Sequence, residues 1–551
     1  MVQLGISAFY HDSAACLVID GKVISAVEEE RFTGIKHDDA FPINAINWIL
    51  SSNRISIEGV DQVCWYETPN LKKKRVLKSF NKNFFSTLSL RYKFLSKFKK
   101  QDPTRKLKQI GYTGEVVNTY HHSSHAAFSY FTSTYNEAAV LTIDGVGESE
   151  TVTISKATGT ELESKFSLEY PNSLGMLYST ITAYLGFKPN EGEYKVMGLA
   201  PYGNPDQFFN KLHSLFTHKD GKFSLNMKGF DWEKSDRTMF NSKLCRTLGI
   251  LPRLPQEEIT QEHKNLASAL QKVYEVEFLK LVKLASEISK SKNLCLSGGC
   301  AYNGVANTLA YKYFDSIHIP FAPSDAGSAI GACLYHYRGV KQLNLNPFLG
   351  PKFKSTEIHK TILEFTGLVV SFKLSDDLLV KKVGEILNNQ KIVAWFRGSM
   401  EFGARALGNR SILASPSDPK MREKLNLVIK KREGFRPFAP SVIADKATKY
   451  FDIVEDIPYM NQVVQAKTKK LPAATHIDNS CRVHTVTPEQ NPIYYRLLSE
   501  VGRLSGIPVL LNTSFNLKDQ TITITPKQAI ERFLDSKIDF LVLNNYLVQK
   551  L

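Results

Sequence analysis

Three apolar runs joined by short polar turns open the chain: Val2-Gln-Leu-Gly-Ile-Ser-Ala, then Ala14-Ala-Cys-Leu-Val-Ile, an Asp20-Gly21 turn, and Val23-Ile-Ser-Ala-Val. Runs of that length bounded by turn residues predict an antiparallel meander. The pattern returns near residue 138, where Ala139-Val-Leu-Thr-Ile leads through the turn Asp144-Gly-Val-Gly to Thr151-Val-Thr-Ile. Two meanders that begin alike predict a duplicated core. A long amphipathic helix is expected from about His263 to Ser289, followed by two strand-to-helix turns rich in glycine. These are Ser297-Gly-Gly-Cys-Ala-Tyr-Asn303 and Ser324-Asp-Ala-Gly327. The segment 340–354, rich in Asn, Pro and Gly, reads as a linker. The expected division is therefore 1–350 and 355–551, both α/β, since 551 residues exceed what one core supports.

The stretch Tyr120-His-His-Ser-Ser-His-Ala-Ala-Phe carries the first chemistry. On a helix, His121 and His125 lie one turn apart on one face and can converge on a point, although the intervening His122 offers a competing spacing. The next strand ends in Asp144. Two imidazoles and a carboxylate make a half-shell for iron(II), manganese or zinc. The glycine turns at Gly298, Gly299 and Gly327, with Asn303 at the next helix start, allow close approach of a nucleotide, or alternatively tight packing of helix on sheet. In the second domain, cations, hydroxyls and amides gather at strand ends: Arg397 to Arg410, then Lys430-Lys-Arg432-Glu-Gly-Phe-Arg436, Cys481-Arg482, and Asn512-Thr513-Ser514. Guanidinium forks match phosphate oxygens, so that collection predicts a phosphate site.

Composition narrows the classes. No run of eighteen apolar residues and no leader pattern is present, which places the expected protein in the cytosol without a membrane span. Seven scattered cysteines without a Cys-x-x-Cys pair predict reduced thiols. The net charge of +16 suggests nucleic acid until it is located: residues 72–108 hold fourteen Lys or Arg against one acid, Asp102. The rest of the chain is close to balance, at about +3. With aromatics interleaved (Phe80, Phe84, Phe85, Tyr92, Phe94, Phe98), this segment is either an amphipathic helical lid that rests on anionic lipid or holds an acidic acceptor, or a solvated helical insertion with its aromatics packed on the domain, and the insertion is the expected reading.

Ten ordered strings resemble the O-carbamoyltransferase family that includes the nodulation-factor, cephalosporin and tobramycin carbamoyltransferases. They are Phe9-Tyr-His-Asp-Ser-Ala-Ala, Glu29-Glu-Arg-Phe with Lys36-His37, His121-His-Ser-Ser-His-Ala-Ala, Asp144-Gly, Lys195-Val-Met-Gly-Leu-Ala-Pro-Tyr-Gly, Ser297-Gly-Gly-Cys-Ala-Tyr-Asn, Ser324-Asp-Ala-Gly, Glu401-Phe-Gly-Ala-Arg-Ala-Leu-Gly, Arg432-Glu-Gly-Phe-Arg-Pro-Phe-Ala-Pro and Asn512-Thr-Ser-Phe-Asn. The resemblance implies an N-terminal duplicated actin-like ATPase domain, similar to tRNA threonylcarbamoyl-transfer enzymes, and a C-terminal YrdC-like domain. It implies carbamoyladenylate formation from ATP and carbamoyl phosphate, then carbamoyl transfer to a hydroxyl of a sugar or secondary metabolite.

Carried over by position, His121, His125, Asp144 and Asp325 are the implied metal ligands, with iron(II) the expected ion, another divalent metal the alternative, and magnesium accompanying ATP. His11, Lys36, Lys430, Arg482 and Ser514 are the implied catalytic residues. Gly298, Gly299, Asn303, Gly327, Arg405, Arg432, Arg436, Asn512 and Thr513 are the expected binders of the nucleotide and its phosphates. Family members imply a homodimer. Ala404 stands where the family has proline, Leu517-Lys-Asp-Gln-Thr departs from the usual continuation, and Lys431 beside Lys430 leaves the catalytic lysine open by one position. The competing readings are a threonylcarbamoyl-type transferase acting on tRNA and a non-catalytic actin-like switch. Nucleic acid is not the expected partner, because the second-domain motifs fit free carbamoyl phosphate.

Overall fold

In the computed structural model, the described residues are 1–82, 88–235, 238–337, 341–343 and 345–551. They form two compact units: Met1–Glu29 with His37–Leu345, and Glu30–Lys36 with Asn346–Leu551. The seven residues 30–36, which sequence reading leaves in the first domain, belong to the second unit. There the Arg31 guanidinium donates to the Gly403 carbonyl at 2.9 Å, and Phe32 packs on Met400, Ile522 and Ile524.

The first unit holds two five-stranded sheets of one design. Strands β1 (Val2–Ser7), β2 (Ala14–Ile19), β3 (Lys22–Glu28), β4 (Gln62–Trp65) and β5 (Glu115–Asn118) run in the order β3-β2-β1-β4-β5. Strands β6 (Glu137–Ile143), β7 (Glu150–Thr158), β8 (Glu161–Glu169), β9 (Asn293–Ser297) and β10 (Ser316–His318) repeat it as β10-β9-β6-β7-β8. In each sheet the first three strands are an antiparallel meander and the last two run parallel to the first. The duplication read from the two meanders is thus present as topology. The apolar runs are buried because helices cover them: Leu4, Ile6, Leu141 and Leu294 are wholly inaccessible.

Four helices matter for the chemistry: α1 (Pro69–Lys82), α2 (His121–Phe131), α3 (Gln261–Ser289) and α4 (Asp325–Tyr337). Helices α2 and α4 lie against one another closely enough to exclude larger residues. A Cβ on Gly331 would stand 1.9 Å from the Ser124 carbonyl oxygen, and one on Gly327 would stand 2.5 Å from the Phe128 ring. Such an approach needs glycine on the facing surface. Helix α3 begins at Gln261 with Thr260 as its cap, two residues ahead of the expected start.

Beside a two-stranded sheet of Val463–Gln465 and Ser480–Arg482, the second unit is built on an eight-stranded mixed sheet: β11 (Val369–Lys373), β12 (Val393–Phe396), β13 (Arg410–Ala414), β14 (Ala439–Ile443), β15 (His484–Val486), β16 (Val509–Ser514), β17 (Phe540–Leu543) and β18 (Tyr546–Lys550). Their order is β11-β18-β17-β12-β13-β16-β14-β15. Period-two alternation sorts its side chains into two cores. Val393, Trp395 and Leu413 face one cluster while Ala394, Phe396 and Ile412 face the other. Both faces are therefore buried, which explains why these strands read as continuous apolar runs.

The basic segment is helical where described, over Pro69–Lys82, Leu88–Lys100 and Pro103–Gln109. Phe84 and Phe85 lie outside the described residues, as do residues 340 and 344 of the expected linker. Among the described residues no helix is long and apolar enough to cross a membrane.

Candidate functional site

In the first unit, four side chains from three elements meet. Helix α2 supplies His121 and His125, the end of β6 supplies Asp144, and the first residue of α4 supplies Asp325. All four are buried, with one ligand atom of each within 4.8 Å of the others. The Nε2 atoms of His121 and His125 are 3.1 Å apart, and His121 Nε2 is 2.9 Å from Asp144 Oδ2. Asp325 Oδ1 lies 3.6 Å from His121 Nε2 and 3.5 Å from His125 Nε2. Donors bound about 2.1 Å from a common ion stand roughly 3.0–3.5 Å from one another, so the spacing fits a first-row divalent metal.

The orphaned atoms point the same way. Both carboxylate oxygens of Asp325 are buried without a hydrogen-bond partner. An interior carboxylate left so is costly unless a cation faces it. His125 Nδ1 lies 3.1 Å from the Ser328 hydroxyl, an arrangement that leaves Nε2 free as a ligand. Asp144 Oδ1 accepts the Gly299 amide at 3.1 Å. Glu148 accepts the His121 amide at 3.0 Å and the Thr68 amide, capping α2 from the loop that carries Asp144. Burial pushes the Glu148 carboxyl up, against the pull of His121 and those amides. His122 turns away from the cluster to Thr153, with 3.1 Å between Nδ1 and Oγ1.

His11 sits beside this cluster. Its Nε2 is 4.0 Å from Asp325 Oδ2 and its Nδ1 is 3.0 Å from Asp12 Oδ2, while Asp12 also pairs with His37 at 2.7 Å. Burial would lower its proton affinity, but the Asp325 charge and the Asp12 contact outweigh that and raise its pKa to about 10. His121 is raised in the same way to about 9. The raised proton affinity of His11 works against the neutral base expected of it unless the Asp325 charge is offset.

The glycine turns are closely packed. Gly298 has φ +86°, and a Cβ there would meet the Ile143 carbonyl oxygen at 2.2 Å. Gly327 is fixed by the α2–α4 packing, and the Gly299 amide holds Asp144. The Asn303 side chain caps the next short helix and pairs with Gln271 at 3.0 Å. These four residues take part in the metal-ligand frame and in the packing of the first unit. Likewise Asn512 is buried in the second unit, its Nδ2 donating to the Ala406 carbonyl and the Ser441 hydroxyl.

The second unit collects cations. Lys430, only 5% exposed, donates to the Ser514 carbonyl and to Asn516 Oδ1 at 2.7 Å; both are neutral acceptors. Burial, then the charges of Arg432, Arg436, Lys36 and Arg532, holds its ammonium well below the usual lysine range. Lys431 is exposed with φ +46°, so Lys430 is the lysine that faces this group. Ser514 Oγ donates to Asn516 Oδ1 at 2.7 Å, and Thr513 stands half-buried one residue before it. Arg482 donates to the Met460 carbonyl at 2.8 Å, and burial together with Arg405 depresses its pKa. Arg432 binds Asn426 at 2.7 Å, and Arg436 pairs with Glu433 at 3.3 Å. The Glu401 carboxylate accepts the amides of Leu407, Asn409 and Arg410, folding the loop that presents Arg405.

Comparison with known proteins fits both halves. The carbamoyltransferase N-terminus model matches residues 2–334 and the carbamoyltransferase C-terminus model matches residues 384–550. The chain belongs to the carbamoyltransferase family. It is 33% identical to nodulation protein NolNO of Sinorhizobium fredii, over 99% of this chain and 80% of that protein. It is 39% identical to protein sll1178 of Synechocystis, over 99% of this chain and 96% of that one. Among solved structures, the ROK hexokinase of Thermus thermophilus aligns with 61% of this carbamoyltransferase and 98% of its own chain, at 11% identity and a TM-score of 0.32. Sequence reasoning missed Glu148, Ser328 and Asn516. Ser328 carried a signal, since it lies three residues past Asp325 and so on the same helical face.

Proposed function

We propose that this transferase is ATP-dependent and works in two stages. In the second unit, read as YrdC-like, carbamoyl phosphate, ATP and water give carbamoyladenylate, phosphate and pyrophosphate. In the first unit, read as an actin-like ATPase domain, a hydroxyl of a sugar or secondary-metabolite acceptor attacks the carbamoyl carbon and loses its proton, and the bond to the adenylate phosphate breaks to release AMP. The observation that carries the reading is Lys430: an ammonium buried on neutral oxygens and surrounded by Arg432, Arg436, Lys36 and Arg532 suits a multiply charged phosphate.

Lys430, Lys36, Arg432 and Arg436 neutralise the phosphate oxygens, Arg405 and Arg482 hold the second anionic group, and Ser514 orients it. In the first unit His121, His125, Asp144 and Asp325 hold a divalent metal, iron(II) in this reading, which supplies Lewis-acid stabilisation when bound. Gly299 and Ser328 keep Asp144 and His125 in register. His11 moves the proton of the acceptor hydroxyl, a role worth roughly a hundred- to ten-thousandfold when positioned. Carbamoyl-phosphate-dependent exchange of labelled pyrophosphate into ATP tests the first stage. Exchange that stops in Arg482→Met and Lys430→Met is expected; no exchange by the wild-type protein overturns the reading.

A further inference from the structure

The basic segment begins with helix α1, and α1 brings two cations to the edge of the metal centre. The Arg75 guanidinium donates to the Gly147 carbonyl and lies 5.5 Å from the centre of the Tyr170 ring. Gly147 belongs to the loop between the ligand Asp144 and the cap Glu148, and a Cβ on it would stand 3.1 Å from His121. Lys72 Nζ pairs with Glu67 at 3.0 Å and lies 5.6 Å from the centre of the Tyr10 ring. Tyr10 joins the two groups. Its ring is 4.8 Å from His11, and its hydroxyl lies 3.6 Å from where a Cβ on Gly145 would be. Burial, then Asp144 and Asp325, keeps the phenol protonated while Arg75 acts against them. One half-buried tyrosine hydroxyl therefore feels the metal-ligand carboxylates and the arginine together.

Arg75 is too well placed for a solvated face. Its guanidinium is desolvated enough to lower its proton affinity. Among the described residues a carbonyl satisfies one of its five N–H donors, and the carboxylates that act on it, Glu67 and Glu148, are already engaged with Lys72 and with backbone amides. Unused donors on a fixed guanidinium select a planar or tetrahedral oxyanion. A neutral polyol would gain little from that fork, and an aminated sugar would be repelled by it.

Resting on the two-stage reading above, we infer that Arg75, seconded by Lys72, is the oxyanion-binding wall of the transfer site, so that the hydroxyl acceptor is an acid: a carboxylated or phosphorylated sugar. Two sources of oxyanion share this chemistry, and matched acceptor pairs separate them. Binding of glucuronate against glucose, galacturonate against galactose, and glucose 6-phosphate against glucose is measured on the iron-loaded full-length protein, for wild type, Arg75→Gln, Arg75→Lys and Lys72→Gln. At least one anionic member binding tenfold or more tightly than its neutral partner is expected. A gain confined to the uronates marks a carboxylate site, and one confined to the phosphate ester a phosphate site. The preference falls to near unity in Arg75→Gln, falls less in Lys72→Gln, and is partly restored in Arg75→Lys, while iron content stays unchanged.

Equal binding within every pair, absence of binding by every anionic member, a preference that survives Arg75→Gln, or loss of iron in that variant overturns the inference. So does an Arg75→Gln defect that is the same with neutral and anionic acceptors, which would assign the arginine to the phosphate of the activated donor. Carbamoyl-phosphate-dependent pyrophosphate exchange is run on the same preparations. Its absence in wild type defeats the two-stage reading, whereas its presence beside a failed pair comparison defeats only the inference about the acceptor.

Discussion

The two units of this carbamoyltransferase solve opposite electrostatic problems with buried charge. The first gathers two imidazoles and two carboxylates around a point, leaving Asp325 without hydrogen bonds. The second gathers Lys430, Arg432, Arg436, Lys36 and Arg532, and seats the lysine on neutral oxygens. The cost in the first falls on a buried carboxylate without hydrogen-bond partners, and in the second on a buried lysine that half-buried cations surround. The difference lies in the chemistry each gathers: the first brings together groups that could hold a metal ion, whereas the second brings like charges around Lys430.

The comparison breaks most visibly at Asp325. Asp325→Asn removes a ligand while keeping the shape, and carbamoyl transfer is expected to fall by about a thousandfold. Metal content by elemental analysis should fall with it, while pyrophosphate exchange in the other unit persists. Retention of a full metal equivalent would count against the cluster as the metal centre.

Lys430→Met tests the other side. Exchange is expected to drop by about a hundredfold or more, since a preorganised cation is lost. The thermal midpoint should stay level or rise, because the buried charge goes with it. A large loss of stability would make Lys430 a structural residue.

Ser328→Ala sharpens the first cluster rather than destroying it. Losing the partner of His125 Nδ1 should weaken metal binding by roughly tenfold to a hundredfold, measured by competition with a chelator. Unchanged affinity would show that the α2–α4 packing alone orients the ring.

The smallest expected effect is a proton. The folded pKa of Lys430 is depressed, so between it and the ordinary lysine value the unfolded chain binds more protons and stability rises with pH. An anion at the site reverses the depression. Calorimetric titration of inorganic phosphate at a series of pH values below the ordinary lysine range, in buffers of different ionisation enthalpy, should therefore show proton uptake that is absent in Lys430→Met. Binding without uptake would mean that Lys430 is already charged.

Legibility in the sequence followed distance along the chain. His121 and His125 are one helical turn apart, and the strand before Asp144 is a plain apolar run, so spacing exposed three of the four groups in the cluster. Asp325 stands far off in the chain, and it was reached by resemblance rather than spacing. The glycine turns stayed ambiguous for a related reason. Gly298 and Gly327 signal close approach, yet a sequence cannot say whether what approaches is a phosphate or the Ile143 carbonyl and the Phe128 ring. The seven residues that leave the first unit at Glu30 and return at His37 gave no compositional warning, because the contacts holding them, Arg31 to Gly403 and Phe32 to Ile522, are hundreds of residues away.

By itself the sequence determined the local periods, and with them both meanders, the alternation that fills the two cores of the second sheet, and the kinds of side chain available for chemistry. Tertiary structure alone decided which of those side chains meet. Helical and strand periodicity are set by neighbours a few residues apart, whereas the convergence of Asp325 on His125, of Lys36 on Lys430 and of Arg75 on the Asp144 loop depends on packing between distant elements. The glycine-lined contact of α2 with α4 shows the division well: the small residues are visible in the chain, and the metal-binding geometry they permit exists only once the helices touch.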